Sequence, residues 1–216
     1  MVETIVRLVR HGEVENPAKV LYGRLPDFHL SELGQEMARR VADHLAGLPV
    51  THLRSSPLER ARETMAPIAA RFPHLEVTPD VRVVEAANVF EGHVFGPRNA
   101  VLYKPTSWWH LRNPLRPSWG EPYCHIVRRM EAAVADAAAA AGDGGQAVIV
   151  SHQLPIWMLR SHAEGRSLVH DPRRRQCRLA SVTSFTLVDG RLARVDYAEP
   201  AGDLLPPKKR TFAPGA

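Results

Sequence analysis

Two short segments of the chain, residues 4–9 and 146–150, consist mainly of apolar and β-branched residues. This pattern is typical of strands that are buried on both faces of a sheet. In other segments the apolar residues recur every three or four positions, which indicates helices with one buried face. Because the two kinds of segment alternate along the chain, the sequence predicts an α/β protein with a mainly parallel sheet.

Three segments carry the helical spacing. The first follows Ser31, whose hydroxyl is suited to cap a helix N-terminus. The second opens with residues 56–59, Ser-Pro-Leu-Glu, which have the form of a capping box with proline at the first helical position. The third runs through an alanine-rich stretch and ends before Gly142. The apolar positions of the three segments are Leu33, Met37, Val41 and Leu45; Leu58, Ala61, Met65, Ile68 and Phe72; and Ile126, Met130 and Val134.

The C-terminal part of the chain carries a hairpin signal. Residues 181–188 and 191–197 read as strands, and the dipeptide Asp189-Gly190 between them favours a tight turn. One edge of the sheet is therefore expected to be antiparallel. The predicted fold is a three-layer α/β/α sandwich with a mainly parallel central sheet, one antiparallel edge and an irregular cap insertion.

The cap insertion is assigned to residues 86–123, which lack periodicity and are rich in proline and tryptophan. We expect a single catalytic domain over residues 1–199 that includes this cap. Residues 200–216 form a Pro/Gly-rich basic tail.

The composition is that of an ordinary globular protein of 216 residues, with 44% hydrophobic and 24% charged residues. No apolar run approaches the ~20 residues of a membrane-spanning helix, so no membrane partner is expected. The first residues do not resemble a secretory signal. Cys124 and Cys177 are far apart and form no CxxC pair, which indicates reduced thiols. We therefore expect a cytoplasmic protein.

The charge balance favours anionic ligands. The chain has 28 basic and 23 acidic residues, a formal charge of +5. No recognised nucleic-acid motif accompanies this charge, so no specific nucleic acid is expected. The histidines show no metal-ligand spacing, and we expect neither a metal nor a cofactor. The cluster at residues 173–175 suggests either a solvated loop or a widening of the positive field at a binding site.

Candidate chemistry lies at the ends of the two predicted central strands. Arg10 and His11 follow the first strand, and His152 follows the second. Ligands of open α/β sheets bind at the carboxyl ends of the strands. Arg60, in the second predicted helix, is a further basic residue that can reach this place. Two histidines and two arginines would form a cationic pocket suited to phosphate, whose oxygens guanidinium groups bind bidentately.

Four segments, in order and spanning most of the chain, resemble the histidine phosphatase superfamily, the phosphoglycerate mutase-like family. The segments are Leu-Val-Arg-His-Gly-Glu at 8–13, Gly-Arg-Leu-Pro-Asp-Phe-His-Leu-Ser-Glu-Leu-Gly at 23–34, Ser-Ser-Pro-Leu-Glu-Arg-Ala-Arg-Glu-Thr at 55–64, and Val-Ile-Val-Ser-His at 148–152. Weaker matches lie at 80–85, 90–92 and 120–121.

The resemblance implies a role for each matching residue. His11 matches the nucleophile, which would form a phosphohistidine. Arg10, Arg60 and His152 match the residues that hold the phosphate oxygens, and His152 also counts among the catalytic residues. Glu85 matches the acid that protonates the leaving oxygen and then activates water. The match around Glu85 is loose, and Glu91 is the alternative acid.

The chain departs from the family pattern at two positions beside the site. Family members usually carry asparagine six residues after the nucleophile, where this chain has Pro17 and places Asn16 one residue early. The second histidine is normally followed by glycine, and here Gln153 follows it. Neither change removes a catalytic group, but both affect the surroundings of the substrate.

The resemblance leaves the reaction open between hydrolysis and phosphoryl transfer. Cofactor-dependent mutases of the family carry a Glu-Arg-Arg-Tyr-type run in the insertion, and residues 86–123 have none. We therefore predict a metal-independent phosphomonoesterase acting on a small phosphorylated metabolite, with a cofactor-dependent phosphoglycerate mutase as the alternative. A non-catalytic module that binds a phosphorylated ligand is a remote third reading. The sequence does not indicate the metabolite or the oligomeric state.

Overall fold

The computed structural model describes residues 2–94 and 119–205 of the chain. Within them it contains six strands and four α-helices. The strands are β1 (Glu3–Arg10), β2 (Val50–Ser55), β3 (Val77–Pro79), β4 (Gln146–Ser151), β5 (Val182–Val188) and β6 (Arg191–Ala198); the helices are α1 (Glu32–Leu45), α2 (Glu59–Arg71), α3 (Tyr123–Ala141) and α4 (Gln153–Ala163). Short 3₁₀ turns cover Val81–Val83, Pro172–Arg174 and Gly202–Leu204.

The six strands form one mixed sheet in the order β3-β2-β4-β1-β5-β6. Strands β3, β2, β4 and β1 pair in parallel, whereas β5 pairs antiparallel with β1 and with β6. The β5–β6 turn places Asp189 at φ 49° and Gly190 at φ 75°, the backbone that an Asp-Gly hairpin favours. The predicted antiparallel edge is confirmed.

The helices cover both faces of the sheet. Leu8 of β1 belongs to the core under α3 and α4, and its neighbour Val9 belongs to the core under α1 and α2. Adjacent strand residues point to opposite faces, so each central strand contributes to two cores. This explains the mainly apolar runs in the sequence, and the predicted α/β/α sandwich is confirmed.

The helix termini follow the sequence in one case and depart from it in another. Ser31 caps α1, and its hydroxyl accepts a hydrogen bond from the Gly34 N–H at 3.0 Å. The capping box predicted at 56–59 is wrong, because α2 begins at Glu59 after an N-cap, Leu58, that makes no side-chain hydrogen bond. The Ser56 hydroxyl instead lies 2.8 Å from the Nε2 atom of His152.

The described residues cover only the two ends of the predicted cap. Of residues 86–123, the segment 95–118 lies outside the described part of the chain, as do residues 206–216 of the predicted tail. The two ends pair with each other through a bridge between Asn88 and Gly120. In the described part of the chain, no helix is long and apolar enough to cross a membrane.

Candidate active site

The parallel pairing of the central strands brings the two motif histidines together. Arg10 at the end of β1 is paired with Ser151 at the end of β4, so His11 and His152 leave neighbouring strands at the same edge. Their ring centroids lie 5.1 Å apart, and both side chains are buried.

Hydrogen bonding fixes the protonation of His11. Its Nδ1 atom lies 2.8 Å from the carbonyl oxygen of Gly12. Because a carbonyl oxygen only accepts hydrogen bonds, Nδ1 carries the proton, and in the neutral ring Nε2 holds the lone pair. Burial lowers the pKa of His11 well below 6.5, and the positive charges of Arg60 and Arg10 act in the same direction. The ring is therefore neutral at ordinary pH, which is the form in which a histidine can act as a nucleophile.

The segment that carries His11 is seated by close backbone packing. A Cβ atom on Gly12 would lie 2.5 Å from the carbonyl oxygen of Gly34, and one on Gly34 would lie 2.0 Å from the carbonyl oxygen of Glu13. Only glycine permits this approach of the loop to the start of α1. The Gly12 N–H donates to the Thr64 hydroxyl on α2 at 3.1 Å.

Two buried guanidinium groups accompany the histidines. Arg10 donates from Nη1 to the carbonyl oxygen of Cys177 at 2.7 Å, and Arg60 donates from Nη2 to that of Gly23 at 2.5 Å. The Arg60 guanidinium also lies over the ring of Tyr22, 4.7 Å from its centroid. These contacts hold both arginines from one side.

The remaining polar atoms of the cluster lack protein partners. Within the described part of the chain, Nε and Nη2 of Arg10, Nε and Nη1 of Arg60, and Nδ1 of His152 make no hydrogen bond. Buried polar atoms are normally paired, because an unpaired one costs about 1–3 kcal/mol. Four guanidinium nitrogens without protein acceptors beside two histidines can donate hydrogen bonds to the oxygens of a tetrahedral anion.

Glu85 is the carboxyl group that borders this cluster. It is partly buried and lines an adjoining cavity, and its Oε1 atom accepts a hydrogen bond from the Ala86 N–H at 2.8 Å. Burial raises its pKa, although nearby guanidinium groups act in the opposite direction. A raised pKa keeps a carboxyl group available as a proton donor.

Glu91, the alternative acid, has a structural contact. Its Oε1 atom accepts a hydrogen bond from the Asn88 N–H at 3.1 Å, and its side chain packs against Gly23. Among the described residues that line the cavity, Glu85 is present and Glu91 is not. The geometry favours Glu85 as the acid, and that role remains a prediction.

A network that the sequence did not reveal holds the Glu85 segment. Glu121 accepts hydrogen bonds from Arg24 and Arg129, with shortest distances of 3.0 and 2.8 Å. Arg24 in turn donates to the carbonyl oxygen of Glu85 at 2.6 Å, and Arg129 donates to that of Val84 at 2.7 Å. The only signal in the sequence was the weak family match at 120–121.

We expect Glu121→Gln to loosen the Glu85 segment, because both arginines lose their charged partner. The expected loss is about 1–3 kcal/mol in the free energy of unfolding, together with roughly a tenfold lower kcat on alkyl phosphates. Thermal melts and initial rates measure the two effects. Glu131→Gln, which removes an exposed partner of His162, is the matched control and should change neither. Equal behaviour of the two variants would contradict the positioning role of Glu121.

The two departures from the family pattern have defined structural roles. Asn16 closes a local turn, exchanging hydrogen bonds with the backbone N–H and carbonyl of Val20 at 2.9 and 2.8 Å. Gln153 donates to the carbonyl oxygen of Cys177 at 3.2 Å and accepts from Arg175 at 3.2 Å. The glutamine thus connects Arg175 to the backbone that holds Arg10.

The basic cluster at 173–175 divides between solvent and site. Arg173 and Arg174 are exposed, as a solvated loop predicts. Arg175 is half-buried and lines the same cavity as Glu85. Three neighbouring arginines give no sequence signal that singles out the third.

Comparisons with known proteins show the family of the chain. The model of the histidine phosphatase superfamily, branch 1, matches residues 6–199. The uncharacterized protein Rv0525 of Mycobacterium tuberculosis is 53% identical over 199 residues, which cover 92% of this chain and 98% of that protein. The probable phosphoglycerate mutase GpmB of Yersinia pestis is 31% identical over 200 residues, covering 90% and 85% of the two chains.

The fold is also found among solved structures. The native structure of mycobacterial glucosyl-3-phosphoglycerate phosphatase Rv2419c is similar with a TM-score of 0.71 at 23% identity. The similarity covers 90% of this chain and 97% of that one. At this level of identity the likeness concerns the fold alone.

Proposed function

Because the chain belongs to the histidine phosphatase superfamily, we propose that it hydrolyses phosphate monoesters of a small metabolite through a phosphohistidine on His11. One observation carries this proposal: a buried, neutral histidine with Nε2 as its lone-pair nitrogen lies beside four guanidinium nitrogens without protein acceptors. A nucleophile and an anion site are thereby combined.

In the first step, the lone pair of His11 Nε2 attacks phosphorus and the phosphorus–oxygen bond of the ester breaks. The electron pair of that bond goes to the leaving oxygen, which takes the proton of Glu85 and departs as an alcohol. In the second step, the Glu85 carboxylate takes a proton from water while the water oxygen attacks phosphorus, and the phosphorus–nitrogen bond breaks with its electron pair returning to Nε2 of His11. Inorganic phosphate leaves, and the neutral histidine and protonated Glu85 are restored.

Arg10, Arg60 and His152 would hold the three non-bridging oxygens during both steps. Positive charge fixed in a buried pocket stabilises the charge that spreads over these oxygens in the transition state. Since the arginines supply this charge, the mechanism includes no metal and we expect activity to survive EDTA.

The second candidate is a phosphoglycerate mutase, supported by the name of the relative that is 31% identical, probable phosphoglycerate mutase GpmB. Both reactions use the same phosphohistidine and differ in the acceptor, which is water in one and a second hydroxyl in the other. A bisphosphorylated cofactor would then be required.

The test is an assay of phosphate release from a panel of phosphomonoesters in EDTA, including p-nitrophenyl phosphate and 3-phosphoglycerate. A parallel sample measures conversion of 3- to 2-phosphoglycerate with 2,3-bisphosphoglycerate supplied. Phosphate release in EDTA supports the phosphatase. Isomerisation without release would replace it with the mutase, and neither activity would overturn both candidates.

The pH profile should separate good from poor leaving groups. His11 attacks when neutral, and its lowered pKa keeps it active until the pH falls well below 6.5. Glu85 donates when protonated, so hydrolysis of alkyl phosphates declines as the pH rises through its raised pKa. Nitrophenolate needs little protonation, so the ratio of kcat/KM for glycerol 3-phosphate to that for p-nitrophenyl phosphate should fall toward alkaline pH. A constant ratio would contradict acid catalysis.

A further inference from the structure

A cavity of about 190 Å³ adjoins the phosphate cluster on the side of Glu85. Glu85 is positioned to protonate the leaving oxygen, so this cavity is where the alcohol part of a substrate would lie. Aromatic and small residues form part of its wall, among them Tyr22, Trp119 and Tyr123. The polar side chains of Gln153 and Arg175 also line the cavity.

A chain of hydrogen bonds connects Arg175 to the phosphate cluster. The carbonyl oxygen of Cys177 accepts from both Arg10 and Gln153, and the Oε1 atom of Gln153 accepts from Nη1 of Arg175. On its other side, Nε of Arg175 donates to Nε2 of His170 at 2.8 Å. Glycine, the usual family residue at position 153, has no side chain to make this bridge. The departure from the family pattern is therefore what fixes Arg175.

The partners of Arg175 do not neutralise its charge. Nδ1 of His170 lies 2.7 Å from the carbonyl oxygen of Leu168 and so carries the ring proton, which makes Nε2 a neutral acceptor. Gln153 is neutral as well. Within residues 2–94 and 119–205, no carboxylate lies within 4 Å of the Arg175 guanidinium. Burial lowers its pKa, since desolvation opposes the charge.

Of the residues that the structure describes, two acidic side chains line the cavity, Glu85 and Glu121, and neither forms a salt bridge with Arg175. Glu121 is paired with Arg24 and Arg129, and Glu85 is the proton donor with a raised pKa. Glu85 is also the carboxyl group whose charge acts most on Arg175. When Glu85 holds its proton, the alcohol side of the site presents a positioned positive charge without an anionic partner within salt-bridge distance among the described residues. A half-buried guanidinium with neutral partners binds a carboxylate or a phosphate strongly.

We propose that Arg175 binds a second anionic group, a carboxylate or a second phosphate, carried by the alcohol part of the substrate, and that Gln153 is its positioning residue. This inference rests on the proposed function and narrows its substrate class. Substrates with a neutral alcohol part lack this contact and are expected to react more slowly.

The first experiment compares matched substrates of the wild-type protein. 3-Phosphoglycerate is paired with glycerol 3-phosphate, which replaces the carboxylate by a hydroxymethyl group; 1,3-propanediol bisphosphate is paired with the monophosphate. One charge-assisted hydrogen bond predicts kcat/KM about 10- to 100-fold higher for the anionic member. The pair with the larger ratio identifies the second group as carboxylate or phosphate. Ratios near one in both pairs would overturn the inference.

Variants then show whether Arg175 causes the preference for the anionic substrates. Arg175→Met should reduce the favourable ratio to near one, mainly through KM of the anionic substrate, and Gln153→Gly should reduce it in part. Arg174→Met, an equal loss of charge at an exposed neighbour, is the control and should keep the ratio. The ratio cancels any general loss of catalysis, and circular dichroism checks folding. An unchanged ratio in a folded Arg175→Met variant would also overturn the inference. Arg175→Lys retains the positive charge and should keep part of the ratio.

Binding separates failure of the inference from failure of the proposed function. Calorimetry on the His11→Ala variant measures dissociation constants for both pairs without turnover. If the wild type hydrolyses none of the esters, the proposed function fails. A tenfold preference for the anionic ligand would still support the subsite at Arg175, and equal binding would overturn it.

Discussion

Replacement of His11 by alanine is expected to reduce phosphate release by at least about 10⁴-fold, the scale seen when a catalytic nucleophile is removed. The reason is geometric as well as chemical. Nε2 of His11 is the lone-pair nitrogen of a ring whose other nitrogen is held by Gly12. Without the ring, no phosphoenzyme forms and water must attack the ester directly.

Two measurements check this result. Initial rates with p-nitrophenyl phosphate measure turnover, and acid-labile, base-stable phosphate incorporation after rapid quenching measures the phosphoenzyme. His74→Ala, at an exposed position, is the matched histidine control and should behave as wild type. Near-normal rates in a folded His11→Ala variant would exclude the phosphohistidine mechanism.

Glu85→Gln is expected to slow hydrolysis of alkyl phosphates by about 10²–10⁴-fold, the usual contribution of general acid catalysis. Glutamine keeps the size and the hydrogen bond from the Ala86 N–H, but it cannot donate a proton and take it back. The first step with p-nitrophenyl phosphate needs no proton, so this substrate should produce a burst of nitrophenolate and then slow turnover, since water is no longer activated.

Glu91→Gln distinguishes the two candidate acids. Its carboxylate accepts a backbone hydrogen bond from Asn88 and is not among the described residues that line the cavity, so we expect rates within a few-fold of wild type and no burst. A burst followed by slow turnover in Glu91→Gln, with normal rates in Glu85→Gln, would transfer the acid role to Glu91.

The fold and the central pocket could be predicted because they follow from local rules. Mainly apolar runs identify the central strands, and residues directly after parallel strands meet at one edge. This places His11 near His152 without knowledge of any long-range contact. The Asp189-Gly190 turn is equally local, since its backbone conformation depends on two residues.

The residues that escaped prediction are those whose roles depend on distant partners. Ser56 has the sequence context of a helix cap, and only the folded chain shows that His152 takes its hydroxyl. Arg175 looks like its two exposed neighbours until Gln153 and His170 are in place around it. Glu121 acts through arginines from separate elements, Arg24 and Arg129. Local propensity carries no information on such pairings.

The unpartnered nitrogens of Arg10 and Arg60 have a consequence for the end of the catalytic cycle. In the proposed reaction, substrate, phosphoenzyme and inorganic phosphate would all place oxygens against these nitrogens. The released phosphate would therefore compete with the next substrate for the same buried guanidinium groups. Release of phosphate would then limit the turnover rate whenever the chemical steps are fast. Added inorganic phosphate would inhibit turnover and would stabilise the folded protein.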